Sequence, residues 1–176
     1  RPAVPEPFDP SAVDWSRTRA WGAGGYYGRI FLNVRGREPE GTIAPADYEA
    51  ERAALAAALT ALPGPDGASL VNRVFTPQQI YRKVRGIAPD LLLYAGDLAW
   101  RVIGKLGGDG WFTRENDTGP DDANHAQHGL FIFSDLARPA AGRQFSGLTI
   151  YDVLPSLLAR YGIAAPPDLR GCVAAW

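Results

Sequence analysis

The sequence predicts an α/β fold, on two observations. Short continuous apolar runs, Arg29 to Val34 (RIFLNV), Leu91 to Tyr94 (LLLY) and His128 to Phe133 (HGLFIF), read as strands buried on both faces. Between and after them lie amphipathic segments with helical spacing. Such alternation favours a mainly parallel sheet covered on both sides by helices.

Each element has its own signal. Residues 1–13 (RPAVPEPFDPSAV) hold four prolines and no periodicity, and predict an extended arm or linker. Trp21 to Gly28 (WGAGGYYG) reads as a turn that lets aromatic rings approach closely. Pro45 stands at a first helical position with Asp47, Glu49 and Glu51 after it, where acidic groups complement free amides. Tyr48, Leu55, Leu59 and Leu62 then share one face until Pro63-Gly64. Leu70 to Phe75 predicts a short strand, and Thr76-Pro77 the start of a single helical turn through Tyr81. Gly96-Asp97 closes the LLLY strand, and Trp100 to Ile103 predicts another. Thr149 caps a helix with Asp152 at its third position, an apolar stripe of Val153, Leu154, Leu157, Leu158 and Tyr161, and Gly162 as its stop.

The 176 residues suit one domain, and 46% hydrophobic with 21% charged residues is an ordinary globular composition. A formal charge of -1 provides no global field for a nucleic acid polymer or an anionic membrane, although local basic patches stay open. No apolar run is long enough to span a bilayer. The single cysteine, Cys172, has no intramolecular partner and no nearby histidine to activate it. Residue 1 is Arg and the chain contains no methionine, so material is expected before it; the compartment stays open, with the cytoplasm marginally favoured.

Chemistry concentrates in Asn116 to Gly129 (NDTGPDDANHAQHG), which holds Asp117, Asp121, Asp122 and both histidines, His125 and His128. Carboxylates and neutral imidazoles are ligands for zinc, manganese and iron. The alternative is an Asp-rich surface loop whose side chains cap turns. The HxxH spacing lacks the glutamate and the i, i+4 interval of metallopeptidases. Gly22, Gly24 and Tyr27 depart from the dinucleotide fingerprint, which needs glycine at the last of these positions. Arg35, Arg37 and Arg73 have guanidinium forks suited to phosphate, but sixteen arginines against two lysines is more simply compositional bias. Trp111 and Phe112 read as packing residues.

Several segments together resemble a known family. Tyr151 to Leu158 (YDVLPSLL), followed by Gly162-Ile163, Pro166-Pro167 and Leu169-Arg170-Gly171, resembles the closing segment of the alkaline phosphatase superfamily. Val13 to Thr18 (VDWSRT), Arg29 to Asn33 (RIFLN), Ala88 to Leu91 (APDL) and Asn124 to Gly129 (NHAQHG) resemble its type I phosphodiesterase and nucleotide pyrophosphatase group. The resemblance runs from about Val13 onward. It implies an α/β/α sandwich with a central mainly parallel sheet, two divalent metals, usually zinc and alternatively manganese, and a threonine or serine nucleophile attacking a phosphate ester.

His128 with Gly129 matches the family's late His-Gly, so the resemblance makes His128 a metal ligand. It leaves His125, Asp121 and Asp122 as groups that orient a metal-bound side chain or contact the substrate. The nucleophile and the remaining metal ligands of the family have no counterpart here, and no catalytic residue is expected in this chain. Residues 14–176 would then be the C-terminal part of a phosphohydrolase, inactive alone and paired with an N-terminal portion or with a second copy. The competing reading is a non-catalytic binding or assembly module.

Overall fold

The computed structural model describes residues 6–107, 110–114, 123–135 and 142–174. The chain divides into two units, residues 1–129 and 130–176. The elements in order are β1 (Glu6–Pro7), β2 (Ala20–Ala23), β3 (Gly28–Leu32), α1 (Tyr48–Thr60), β4 (Arg73–Phe75), α2 (Pro77–Ile80), β5 (Leu91–Tyr94), β6 (Lys105–Leu106) and α3 (Ile150–Arg160).

In the first unit, β2, β3, β5 and β4 form a four-stranded sheet in that order, and β1 pairs with β6 in a separate ribbon. Every strand pair is antiparallel: Trp21 faces Phe31, Gly28 faces Leu93, and Val74 faces Leu93 from the other side. The expected mainly parallel α/β/α sandwich is therefore overturned. Its physical source is visible in the topology. β3 and β4, joined through α1, both run opposite to β5 and hence parallel to one another, as the β-α-β sequence pattern suggests. But β5 is inserted between them in the reverse direction. The LLLY run reports burial, and Leu91, Leu92 and Leu93 are indeed buried; a hydrophobic run carries no information about the direction of its neighbours.

Two further strands do not form as read. Within Trp100 to Ile103 only Val102 makes a bridge, to Gly25, and the pairing resumes at Lys105. Here the two backbones approach so closely that a Cβ on Gly24 would collide with the main chain of residues 102–104, so only glycine fits. Residues 128–133 are irregular and exposed: they have no neighbouring strand among the described residues to supply a ladder.

The helices follow their sequence signals. Pro45 opens a 3-10 turn that runs into α1, whose Tyr48, Leu55 and Leu59 are half-buried. Tyr48 and Leu55 pack, with Ala20, on a core of Leu32, Val34 and Ile43. Trp21 stacks on its cross-strand partner Phe31 with ring centroids 5.3 Å apart, and Trp15 meets Trp21 edge-on at 5.2 Å. Buried asparagines fasten the connections. The Asn33 amide lies within 3.0 Å of the carbonyls of Trp15, Thr18 and Glu40. Asn72 donates to the Leu59 and Leu62 carbonyls at the end of α1 and accepts from the Gly96 amide after β5.

In the second unit, Thr149 and Asp152 form a capping box at the start of α3, and Gly162 ends it in the left-handed conformation (φ 68°). The chain then returns along the helix. Cys172 and Ala174 donate their amides to Asp152 Oδ1 (2.7 Å) and Ser156 Oγ (2.8 Å). The Cys172 amide, with the amide and hydroxyl of Thr149, holds the Asp152 carboxyl below the usual carboxylate range.

Replacing Asn33 by Ala removes the two N–H donors that the carbonyls of Trp15, Thr18 and Glu40 share, of which Thr18 keeps the Thr42 hydroxyl. It should lower the denaturation free energy by about 2–4 kcal/mol, read from urea midpoints at constant slope.

Candidate functional site

Two places in the first unit hold chemistry-bearing side chains. One is the histidine segment found in the sequence. The other is a cleft that the sequence did not single out.

His125 and His128 are both exposed, in irregular chain. The segment is tied down by Asn124, whose amide donates to the Leu98 carbonyl at 2.6 Å. The His125 ring lies against Tyr26, with centroids 3.8 Å apart, and the Arg101 guanidinium sits 4.6 Å from the same tyrosine ring. His125 is thus engaged in a packed aromatic contact, whereas His128 makes none of the side-chain contacts found for the described residues. Asp121 and Asp122 lie outside the described residues, as does Asp117.

Among the described residues no group of three or more His, Cys, Asp or Glu side chains is assembled to hold a metal ion. The buried Asn124 Oδ1 has no hydrogen-bond partner among them, which adds one oxygen of ligand type beside His125. One amide oxygen and two exposed imidazoles do not complete the coordination of a metal, still less of two. By themselves these residues do not fit a two-metal centre.

The cleft has a volume of about 410 Å3 and is lined by Phe31, Arg37, Tyr48, Arg52, Pro77 and Asp90, among others. Its organising group is Asp90, only 4% exposed, at the head of β5. Arg37 grips the carboxylate with both terminal nitrogens, at 2.7 Å each. Tyr48 donates its hydroxyl to Oδ1 at 2.6 Å, and the Leu32 amide donates to Oδ2 at 2.6 Å. Arg37 also donates to the Leu32 carbonyl at 2.5 Å and to Glu38 at 3.0 Å.

Burial pushes the Asp90 carboxyl upward, but the hydrogen bonds from Arg37, Tyr48 and the Leu32 amide outweigh it and hold the carboxyl below the ordinary range. The same pair drives the Arg37 guanidinium upward, and burial together with Asp90 raises the Tyr48 phenol. Both carboxylate oxygens carry two donors and the group is held ionised, so Asp90 has no free lone pair with which to act as a general base. Its chemistry is structural.

The other cation of the cleft is also committed. Arg52 pairs with Glu49 at 2.6 Å and lies 5.0 Å from the centroid of the Tyr48 ring. Of the arginines suited to phosphate, Arg73 pairs with Asp97 at 3.0 Å and Arg35 reaches the Thr42 carbonyl at 3.5 Å. The three form no common anion cradle. Cys172 is exposed, Phe112 packs edge-on against Trp100 at 5.3 Å, and Trp111 is 86% exposed, so only the phenylalanine packs as expected.

Sequence reasoning missed the Asp90 knot because its members are distant in sequence. The available signal was a carboxylate immediately before LLLY, a charge that a buried strand admits only when it is paired. No family model matches this chain, and neither a curated protein nor a solved structure matches it.

Asp90→Asn should cost about 3 kcal/mol, less than for a fully enclosed pair because Arg37 keeps one flank in water. The sign of the pH dependence follows from the lowered folded-state value. The contribution is fully present above the unfolded carboxylate range and is lost as pH falls through the folded-state value. Denaturant midpoints measured below neutrality should therefore fall less steeply in Asp90→Asn than in the parent chain.

Proposed function

We propose that this chain is part of a metal-dependent phosphohydrolase of phosphodiesterase or nucleotide pyrophosphatase type, in which His128 is one metal ligand and other polypeptide supplies the rest. The resemblance of NHAQHG and of the segment from Tyr151 to Gly171 to that family supports the reading. The observation that carries the need for other polypeptide is the second unit. Among its described residues no large apolar side chain is fully buried, and Leu130, Ile132 and Ile150 are 87%, 78% and 81% exposed. Apolar surface left in water on this scale marks an interface.

The antiparallel sheet does not enter this argument, because a site, not a fold, carries an activity. Two bound divalent ions, zinc or manganese, would stabilise the attacking and leaving oxygens of a phosphate ester. The share of this chain is to present the His128 imidazole and, with Leu130 to Phe133, an apolar surface for the covering polypeptide. Its own described residues contribute no nucleophile to that reaction, so the isolated chain should be inactive.

A second reading is a binding or assembly module, for which the same exposed apolar side chains of the second unit would serve.

The two readings separate when the chain is produced together with a polypeptide that carries the remaining metal ligands and the nucleophile of such a site. With zinc or manganese the assembly should hydrolyse bis(p-nitrophenyl) phosphate. His128→Ala should lower the rate by about a hundredfold or more, since even groups behind a ligand cost ten- to a hundredfold, and should reduce bound metal. An assembly that binds metal normally yet is inert, or a His128→Ala variant with unchanged metal content, rules the phosphohydrolase reading out. The isolated chain should also self-associate or bind its companion, read as mass by sedimentation; a stable monomer indifferent to the companion counts against the interface.

A further inference from the structure

The connection between α2 and β5 is an exposed segment with a firm base, and its Gly86 and Ile87 stand at the wall of the Asp90 cleft. At one end Pro77 is buried, Thr76 and Gln79 close a capping box, and the Tyr81 amide donates to the Pro77 carbonyl at 2.8 Å. At the other end Asp90 is locked by Arg37, Tyr48 and the Leu32 amide. Between them Gly86 turns the chain with φ 67°, in open space.

The segment reads Ile80-Tyr81-Arg82-Lys83-Val84-Arg85-Gly86-Ile87. Arg82, Lys83 and Arg85 are exposed and have no ion pair or hydrogen bond to a described residue. The carboxylates around its base are already taken: Asp90 and Glu38 by Arg37, and Glu49 by Arg52. Three positive charges without a counter-charge among the described residues therefore lie within four positions of one another, on a molecule whose formal charge is -1. Beside them stand exposed apolar groups, Ile80 at 38%, Tyr81 at 50% and Ile87 at 96%.

Cations alone suit any polyanion. An isoleucine held almost wholly in water in the same segment narrows the choice. Nucleic acid recognises such cations through phosphate and prefers aromatic platforms, leaving Ile87 without a partner. An anionic lipid surface offers both halves, phosphate and carboxylate head groups for the cations and an acyl boundary for the isoleucine, with tyrosine at home between them. We infer that the Ile80 to Ile87 segment docks this chain reversibly on an anionic bilayer surface. This is contact with a surface and not insertion of a span, since no helix among the described residues is long and apolar enough to cross a membrane. It is independent of the role of His128.

Cosedimentation of the full chain with vesicles tests it. Vesicles of phosphatidylcholine with about a third phosphatidylserine should bind the chain more tightly than phosphatidylcholine alone, and rising salt should remove the difference. The uncovered apolar residues of 130–174 would adsorb without regard to lipid charge, so the neutral vesicles distinguish the two surfaces. The triple variant Arg82→Gln, Lys83→Gln, Arg85→Gln should weaken partitioning roughly a hundredfold. Ile87→Ser should weaken it roughly tenfold. All four positions are exposed, and the far-UV circular dichroism of each variant should match the parent. Equal binding to neutral vesicles, no binding to the mixed ones, or full binding by Ile87→Ser overturns the inference. In the last case, displacement by a single-stranded oligonucleotide would identify a nucleic acid surface instead.

Discussion

The charge of Asp90 stands at the head of the central strand of the sheet, where almost no water reaches it, and has to be neutralised in place. The first unit is arranged so that it is. The chain leaving β3 brings Arg37 back across the strand, the first residue of α1 brings Tyr48, and β3 itself offers the Leu32 amide. One carboxylate thus fixes the turn after β3, the start of α1 and the entry of β5. Arg37 is held in turn by Glu38 and by the Leu32 carbonyl, which leaves few alternative geometries for the group. Such saturation rigidifies a fold and removes the residue from acid-base chemistry in the same stroke.

Buried amides take over where the carboxylate ends. Asn33 gathers three carbonyls around the core strand, and Asn72 joins the end of α1 to the turn after β5. The short strands thus rely on side chains to hold the segments between them. The segment from Ile80 to Ile87 gains its definition from the same source, since Asp90 is its far anchor. The second unit relies on polar caps around Asp152 and Ser156, and its apolar stripe is only partly covered among the described residues, with Val153, Leu157 and Leu158 half-buried and Leu154 and Tyr161 exposed.

Local elements were legible where the signal is local. Pro45 with the acidic turn, Thr149 with Asp152, Thr76-Pro77 and the LLLY run each appear in the structure as the residues imply, because caps and periodicity act over a few residues. Strand direction was not legible. Leu91 to Leu93 are as buried as a parallel strand would be, and only their partners across Gly28 and Val74 show that they run the other way. The HGLFIF run failed for a related reason: its residues have the propensity for a strand but no ladder to join among those described, and a strand is a property of at least two segments.

By itself, the sequence determined the helices with their caps, the absence of a long apolar span, and the two histidines, the side chains of ligand type nearest a recognisable motif. All of these depend on neighbours within a turn or two of chain. Only the tertiary structure decided the antiparallel order of the sheet, the Asp90 knot, the contact of His125 with Tyr26, and the isolation of Arg82, Lys83 and Arg85 from any counter-charge among the described residues. Pairing direction and charge compensation join residues dozens of positions apart, and no local pattern encodes which of many possible partners the folded chain brings within hydrogen-bond reach.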